Sequence, residues 1–180
     1  WESVYDRQAA RGDLTSRFCD LLGVGSGDSI LELGSGPGYM TARLAEEVAP
    51  GNVYALDRHV DALRYLRDDA TPHVSGVHPI CGDVTTLPLC FTEPIPTMAT
   101  FLLHHLEKPG VALDTIASAL LPGSPFLVAE YHPEAAGDVG PPLGHRLAPE
   151  QVQAWISEAG FTLEDTIPLS EGKYAIIAKR

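Results

Sequence analysis

The sequence predicts an α/β fold, a mostly parallel sheet with helices on both faces. Three observations lead there. Short apolar runs of strand length alternate with stretches whose apolar residues recur at helical spacing. A glycine turn, Gly34-x-Gly36-x-Gly38, separates the first such strand from the helix after it. Asp57 closes the second strand about 20 residues beyond that turn, where a sheet of this kind holds a ribose.

Taken in order, Leu14, Phe18, Leu21 and Leu22 mark a first helix, which Gly23 stops. A strand carrying Leu31 and Leu33 follows, then a helix on Met40, Leu44 and Val48. Val53–Asp57 is the second strand, and Val60, Leu63 and Leu66 build the next helix. Val77–Cys81 reads as the third strand, although Pro79 removes one ladder donor. Pro96–Leu103 reads as the fourth, a helix on Leu113, Ile116 and Leu120 ends at Pro122-Gly123, and Phe126–Glu130 is the fifth. The last third breaks the alternation. A Pro/Gly-rich stretch, His132–Pro149, precedes a helix that opens near Pro149, carries Val152, Trp155, Ile156 and Ala159 on one face and ends at Gly160. Phe161–Pro168 and Lys173–Lys179 are strands joined across Ser170–Gly172, a joint that can connect only antiparallel neighbours.

The 180 residues are read as one domain, 1–180, long enough to bury roughly 70% of the unfolded surface. A net charge of −12 with 12 scattered basic residues argues against a nucleic-acid partner. Cys19, Cys81 and Cys90 are odd in number and lack framework spacing, which suits reduced thiols in a cytoplasmic protein. No run approaches the ~18 apolar residues of a membrane span, and no signal peptide is read, although the chain opens at Trp1 rather than Met. His73, His78, Cys81 and Cys90 match no zinc spacing, and Cys81 is expected inside a core strand; no metal is expected.

The glycine turn carries the chemistry. Glycines let backbone N–H groups approach a ligand unobstructed. Tyr39 stands where a dinucleotide fingerprint needs its third glycine for close packing around a pyrophosphate, so the expected ligand is a nucleoside without one. Three more features fall at the ends of successive strands: Asp57 for the ribose hydroxyls, Cys81-Gly-Asp-Val84 for the adenine amine, and Phe101-Leu-Leu-His-His-Leu106. Plainer readings stand beside these. Asp57 also suits a helix cap, Asp83 a turn, and each histidine a structural role.

The segments ILELGSGPGY, VYALDRHVDAL, ICGDVTTLPL and FLLHHLEKPGVALDTIASALLPGSPFLVAEYHP resemble the class I S-adenosylmethionine-dependent methyltransferases. Within these the chain is similar to the "methyltransferase domain 11" group of ubiquinone and menaquinone biosynthesis. The resemblance implies a Rossmann-like seven-stranded mostly parallel sheet, order 3-2-1-4-5-7-6 with strand 7 antiparallel. It implies S-adenosyl-L-methionine as cofactor and S-adenosyl-L-homocysteine as product. On matching positions Glu32, Gly34, Ser35, Gly36 and Gly38 would hold the methionine part and Asp57 the ribose. Arg58 would flank the adenine, Gly82, Asp83 and Val84 would hold its edge, and Thr100 or Phe101 would close the site.

His105 and His104 are the candidate bases, with His105 the better match to the family position. Tyr131 and His132, placed after the fifth strand, would come from the opposite wall, with His145 and Arg146 on a lid and Tyr5 on an N-terminal cover. The expected partner is a small-molecule methyl acceptor. The fourth strand is followed by neither the Asn/Asp-Pro-Pro-Tyr of adenine-N-methylating enzymes nor a Pro-Cys nucleophile. A non-catalytic S-adenosylmethionine-binding sensor is the main alternative; a nicotinamide-dependent oxidoreductase and an aminopropyltransferase are weaker ones.

Overall fold

The computed structural model describes every residue except 11–12, 88, 137–139 and 170–171. Its strands are β1 (Ser29–Leu33), β2 (Asn52–Asp57), β3 (Val77–Cys81), β4 (Thr97–Thr100), β5 (Pro125–Tyr131), β6 (Thr162–Pro168) and β7 (Lys173–Lys179). Its helices are α1 (Glu2–Ala9), α2 (Thr15–Leu22), α3 (Tyr39–Val48), α4 (Val60–Tyr65), α5 (Pro109–Ala119) and α6 (Pro149–Glu158). The strands form one sheet in the order β3-β2-β1-β4-β5-β7-β6. β7 runs antiparallel to both β5 and β6. This is the Rossmann-like, mostly parallel arrangement with helices on both faces that the sequence predicts. No helix among the described residues is long and apolar enough to cross a membrane.

The chain divides into two compact units. Unit 1 comprises Trp1–Val84 with Ile95–Thr97, and unit 2 comprises Thr85–Pro94 with Met98–Arg180. In unit 1, β2 pairs in parallel with β1 and with β3 (Leu33↔Leu56, Asp57↔Cys81), so β1 and β2 finish level. Ile30, Leu31, Leu33, Val53 and Ala55 are fully buried, as strands covered on both faces must be. Gly23 does stop α2: it adopts φ +66°, and the Val24 N–H bonds back to the Cys19 carbonyl. In unit 2, Gly160 ends α6 in the same way, at φ +89° with the Phe161 N–H on the Ile156 carbonyl.

Several elements differ from expectation. The fourth strand stops at Thr100, because Phe101 takes φ +54° and leaves the extended region; Leu103–His105 is a 3-10 turn. β5 runs on to Tyr131, which therefore lies in the strand rather than after it. The helix over Val60–Leu66 is α-helical only to Tyr65 and continues as a π-helical turn, Leu66–Ala70. Its Val60 is exposed, whereas Leu63 and Leu66 pack on Ala55 and Val77. Cys81 is exposed, not in the core, because β3 is an edge strand with little covering it. An edge position also explains how β3 tolerates Pro79. Of the joint between the last two strands, Ser170 and Glu171 lie outside the described residues.

Candidate functional site

In unit 1 the loop leaving β1 is fastened to the end of β2. The Gly34 and Ser35 N–H groups both donate to the Leu56 carbonyl (2.7 and 3.1 Å), and Gly38 N–H donates to the Ser35 carbonyl at 3.2 Å. Gly36 N–H donates to Asp57 Oδ2 at 2.8 Å. The loop therefore does not offer the ring of ligand-facing N–H groups expected from its glycines, because its donors are used to hold its own shape. What the glycines provide is proximity. A Cβ on Gly38, which sits at φ +90°, would lie 2.5 Å from Leu66 Cγ, so helix-to-loop packing falls to this glycine and not to the Tyr39 position.

Three side chains on this frame are buried and polar. Glu32, 2% exposed near the end of β1, accepts a hydrogen bond from Thr41 Oγ1 at 2.6 Å. Burial pushes its carboxyl up to about 7, the charge of Asp57 adds to that, and the Thr41 hydroxyl pulls the other way. Ser35 is 2% exposed, and its Oγ has no hydrogen-bond partner among the described residues. Asp57 is 8% exposed and meets three groups on two neighbours: Gly36 N–H, His59 N–H (2.8 Å, to Oδ1) and His59 Nδ1 (3.1 Å). Asp57 does not cap the following helix, whose N-cap is His59, and its carboxylate oxygens can each accept a further bond. His59, which the sequence reading passed over, is signalled by its Asp-x-His spacing. It also packs against the Trp1 ring at 5.6 Å.

The remaining unit 1 candidates are placed as follows. Gly82 N–H donates to the Asp57 carbonyl at 3.1 Å, which sets the turn after β3 against the end of β2. Asp83 on that turn is half-buried and Val84 is buried, while Arg58 is exposed. A buried carboxyl and an unpartnered buried hydroxyl beside a glycine loop suit the amino-acid tail and sugar of an S-adenosyl nucleoside.

Unit 2 holds the histidines. His104 Nδ1 lies 2.6 Å from Glu130 Oε2, and its backbone N–H donates to Glu130 Oε1 at 3.3 Å. The two side chains are 3% and 0% exposed. The Glu130 carboxyl on Nδ1 holds the ring and leaves Nε2 as the nitrogen that this pair does not use. His105 is exposed, with its ring 4.1 Å from that of His104. His132 accepts the Glu134 N–H on Nδ1 at 3.2 Å, so it is committed to its own turn. Geometry therefore singles out His104, where the family match favours His105. Glu130 went unnoticed in the sequence, although a carboxylate inside the apolar run Phe126–Tyr131 was its signal.

Phe101 carries backbone strain, since φ +54° is unusual for an aromatic residue. It is pinned by its N–H on the Ala129 carbonyl (2.7 Å) and by its ring, 4.9 Å from that of Tyr131. Thr100 beside it is half-buried. His145 is exposed, but Arg146 is not a free lid residue. It is 6% exposed and donates to the carbonyls of Ala135 (2.8 Å), Ala136 (3.1 Å) and Pro141 (3.0 Å), tying both ends of the stretch that contains the undescribed residues 137–139.

Residues 30–123 match the family described as "Methyltransferase domain". The chain is 30% identical over 142 residues to a demethylmenaquinone methyltransferase of Mycobacterium sp. (strain JLS), covering 72% of this chain and 58% of that one. It is 35% identical over 98 residues to a protein-L-isoaspartate O-methyltransferase of Salinibacter ruber, covering 50% and 42%. The match thus spans about half the length of these relatives. Among solved structures, a SAM dependent methyltransferase from Aquifex aeolicus superposes with a TM-score of 0.84 over 97% of this chain and 96% of that one, at 17% identity.

Proposed function

The chain belongs to the methyltransferase domain family, and from that premise we propose that it transfers the methyl group of S-adenosylmethionine to a small-molecule acceptor bearing an acidic hydroxyl, such as a phenol or enol. When bound, the cofactor supplies a methyl already activated on a sulfonium. The protein then needs to position, to exclude water and to manage one proton.

In this reading Glu32, Ser35 and the glycine loop hold the methionine tail, Asp57 the ribose, and Gly82, Asp83 and Val84 the adenine edge. Glu32 suits a cationic amino group, because a buried carboxyl pushed up to about 7 gains most from a positive partner. Arg58 flanks the adenine from the exposed side. Thr100, the last residue of β4, and Phe101 beside it are the cofactor-binding candidates that unit 2 carries. In unit 2, His104 accepts the acceptor's proton on Nε2 while Glu130 holds Nδ1. His105 then binds or shapes the acceptor.

The buried His104–Glu130 pair is the observation that carries the catalytic reading. A sensor that only bound the cofactor would keep unit 1 and have no use for an imidazole oriented by a carboxylate. The demethylmenaquinone methyltransferase relative favours a small-molecule acceptor, and the protein-L-isoaspartate O-methyltransferase relative supplies the competing reading of a protein acceptor. Incubation with methyl-labelled S-adenosylmethionine and a fractionated cell extract separates the three. Label in the small-molecule fraction supports the proposal, label confined to protein moves the acceptor class, and no transferred label leaves the sensor.

A further inference from the structure

We propose that Gln8, on α1, is a cofactor-binding residue whose carboxamide closes over the glycine loop and accepts a hydrogen bond from the amino group of the methionine tail. This rests on the cofactor reading above and adds a residue that lies outside the matched family segment, 30–123.

α1 buries none of its own residues, so no core holds it in place. It is held by rings: Tyr5 meets Tyr39 edge-on at 5.5 Å and Tyr65 at 5.9 Å, and Trp1 meets His59 at 5.6 Å. Tyr39 begins the helix after the glycine loop, and His59 follows the end of β2. The rings therefore fasten α1 to the two segments that frame the cofactor tail and sugar. At the other end of α1, Gln8 Nε2 lies 3.3 Å from where a Cβ on Gly36 would stand. The amide thus rests on the face that this glycine leaves bare.

Gln8 Oε1 is buried and has no hydrogen-bond partner among the described residues. A buried amide oxygen is costly to leave unbonded. Beside it in the loop, Ser35 Oγ is in the same condition, and Glu32 is a buried carboxyl held by Thr41. All three can accept a hydrogen bond, and the donor-rich group of the expected ligand is its ammonium.

The test compares two ligands that share a nucleoside and a thioether: S-adenosylhomocysteine, which has the amino-acid tail, and methylthioadenosine, which lacks it. Calorimetry on the wild type and Gln8→Ala should show about a tenfold weaker affinity for S-adenosylhomocysteine in the variant. Methylthioadenosine affinity and the melting temperature should be unchanged, since Gln8 supports no core. Equal S-adenosylhomocysteine affinity in the two proteins, or an equal loss for both ligands, overturns the assignment of Gln8 while the cofactor reading stands. A wild type that binds neither compound overturns the cofactor reading, and Gln8's role with it.

Discussion

Each unit buries a carboxyl group within a strand of the sheet, and the two are held differently. In unit 1, Glu32 is held by the Thr41 hydroxyl, a neutral donor that leaves the carboxyl pushed up to about 7. In unit 2, Glu130 meets the ring and the backbone N–H of His104. Both belong to apolar strands, and both are almost fully enclosed. The difference lies in where the complementary group comes from. Glu130 finds it within the chain, at His104, four residues beyond the end of β4. Glu32 lacks a cationic partner in its immediate hydrogen bonding and suits a ligand that brings one. In the proposed reading one unit receives the ligand's charge and the other holds a base in place.

The largest expected effect comes from breaking the internal pair. Glu130→Ala removes the acceptor of both His104 bonds from a buried site, and should destabilise the protein by about 3–5 kcal/mol in urea unfolding. A loss under about 1 kcal/mol would show that the pair is not what holds His104.

Glu32 tests the other side of the comparison. Its carboxyl moves from an ordinary 4.5 in the unfolded chain to about 7 when folded, so the folded state binds the proton more tightly. Stability of the ligand-free protein therefore falls as pH rises between those values, by roughly 3 kcal/mol in full above them. Glu32→Gln keeps an acceptor for Thr41 and should recover most of that well above pH 7, and nothing near pH 4. Urea midpoints at the two pH values check it; equal gains at both would mean that burial of charge is not the cause. The same variant should bind S-adenosylhomocysteine more weakly.

Asp57→Ala sharpens the account of the loop. It leaves the Gly36 and His59 N–H groups without their acceptor, at about 1–3 kcal/mol, and weakens S-adenosylhomocysteine binding without unfolding the protein. Unchanged affinity by calorimetry would remove Asp57 from the ribose site. The smallest effect concerns thiols. Cys19 is buried and its thiol is pushed up to about 11, chiefly by burial, whereas Cys81 and Cys90 are exposed. Brief iodoacetamide treatment at neutral pH should label the latter two and spare Cys19, as peptide mass mapping would show.

Unit 1 was the more legible half because its site is written locally. Gly34, Gly36, Gly38 and Asp57 sit at spacings that a strand-turn-helix imposes, and each landed at the end of its expected strand. Whether a strand is central or at the edge is decided by its neighbours, so the pattern of Val77–Cys81 could not show that Cys81 faces solvent. Glu130 was passed over because an apolar run predicts a strand whatever its single carboxylate is doing, and its partner lies 26 residues away. Arg146 read as a lid residue because composition cannot reveal that backbone carbonyls enclose its guanidinium. The early end of β4 turns on one strained residue, Phe101, and no propensity favours a phenylalanine at positive φ.

The claim that unit 1 grips an S-adenosyl nucleoside by its amino-acid tail is tested most directly by titrating S-adenosylhomocysteine calorimetrically, near pH 6, in two buffers of different ionisation enthalpy. Saturable one-site binding that releases a proton is predicted, because the incoming ammonium would ionise a Glu32 carboxyl that burial keeps protonated below about 7. Absence of saturable heat, or binding with no proton released, would contradict it.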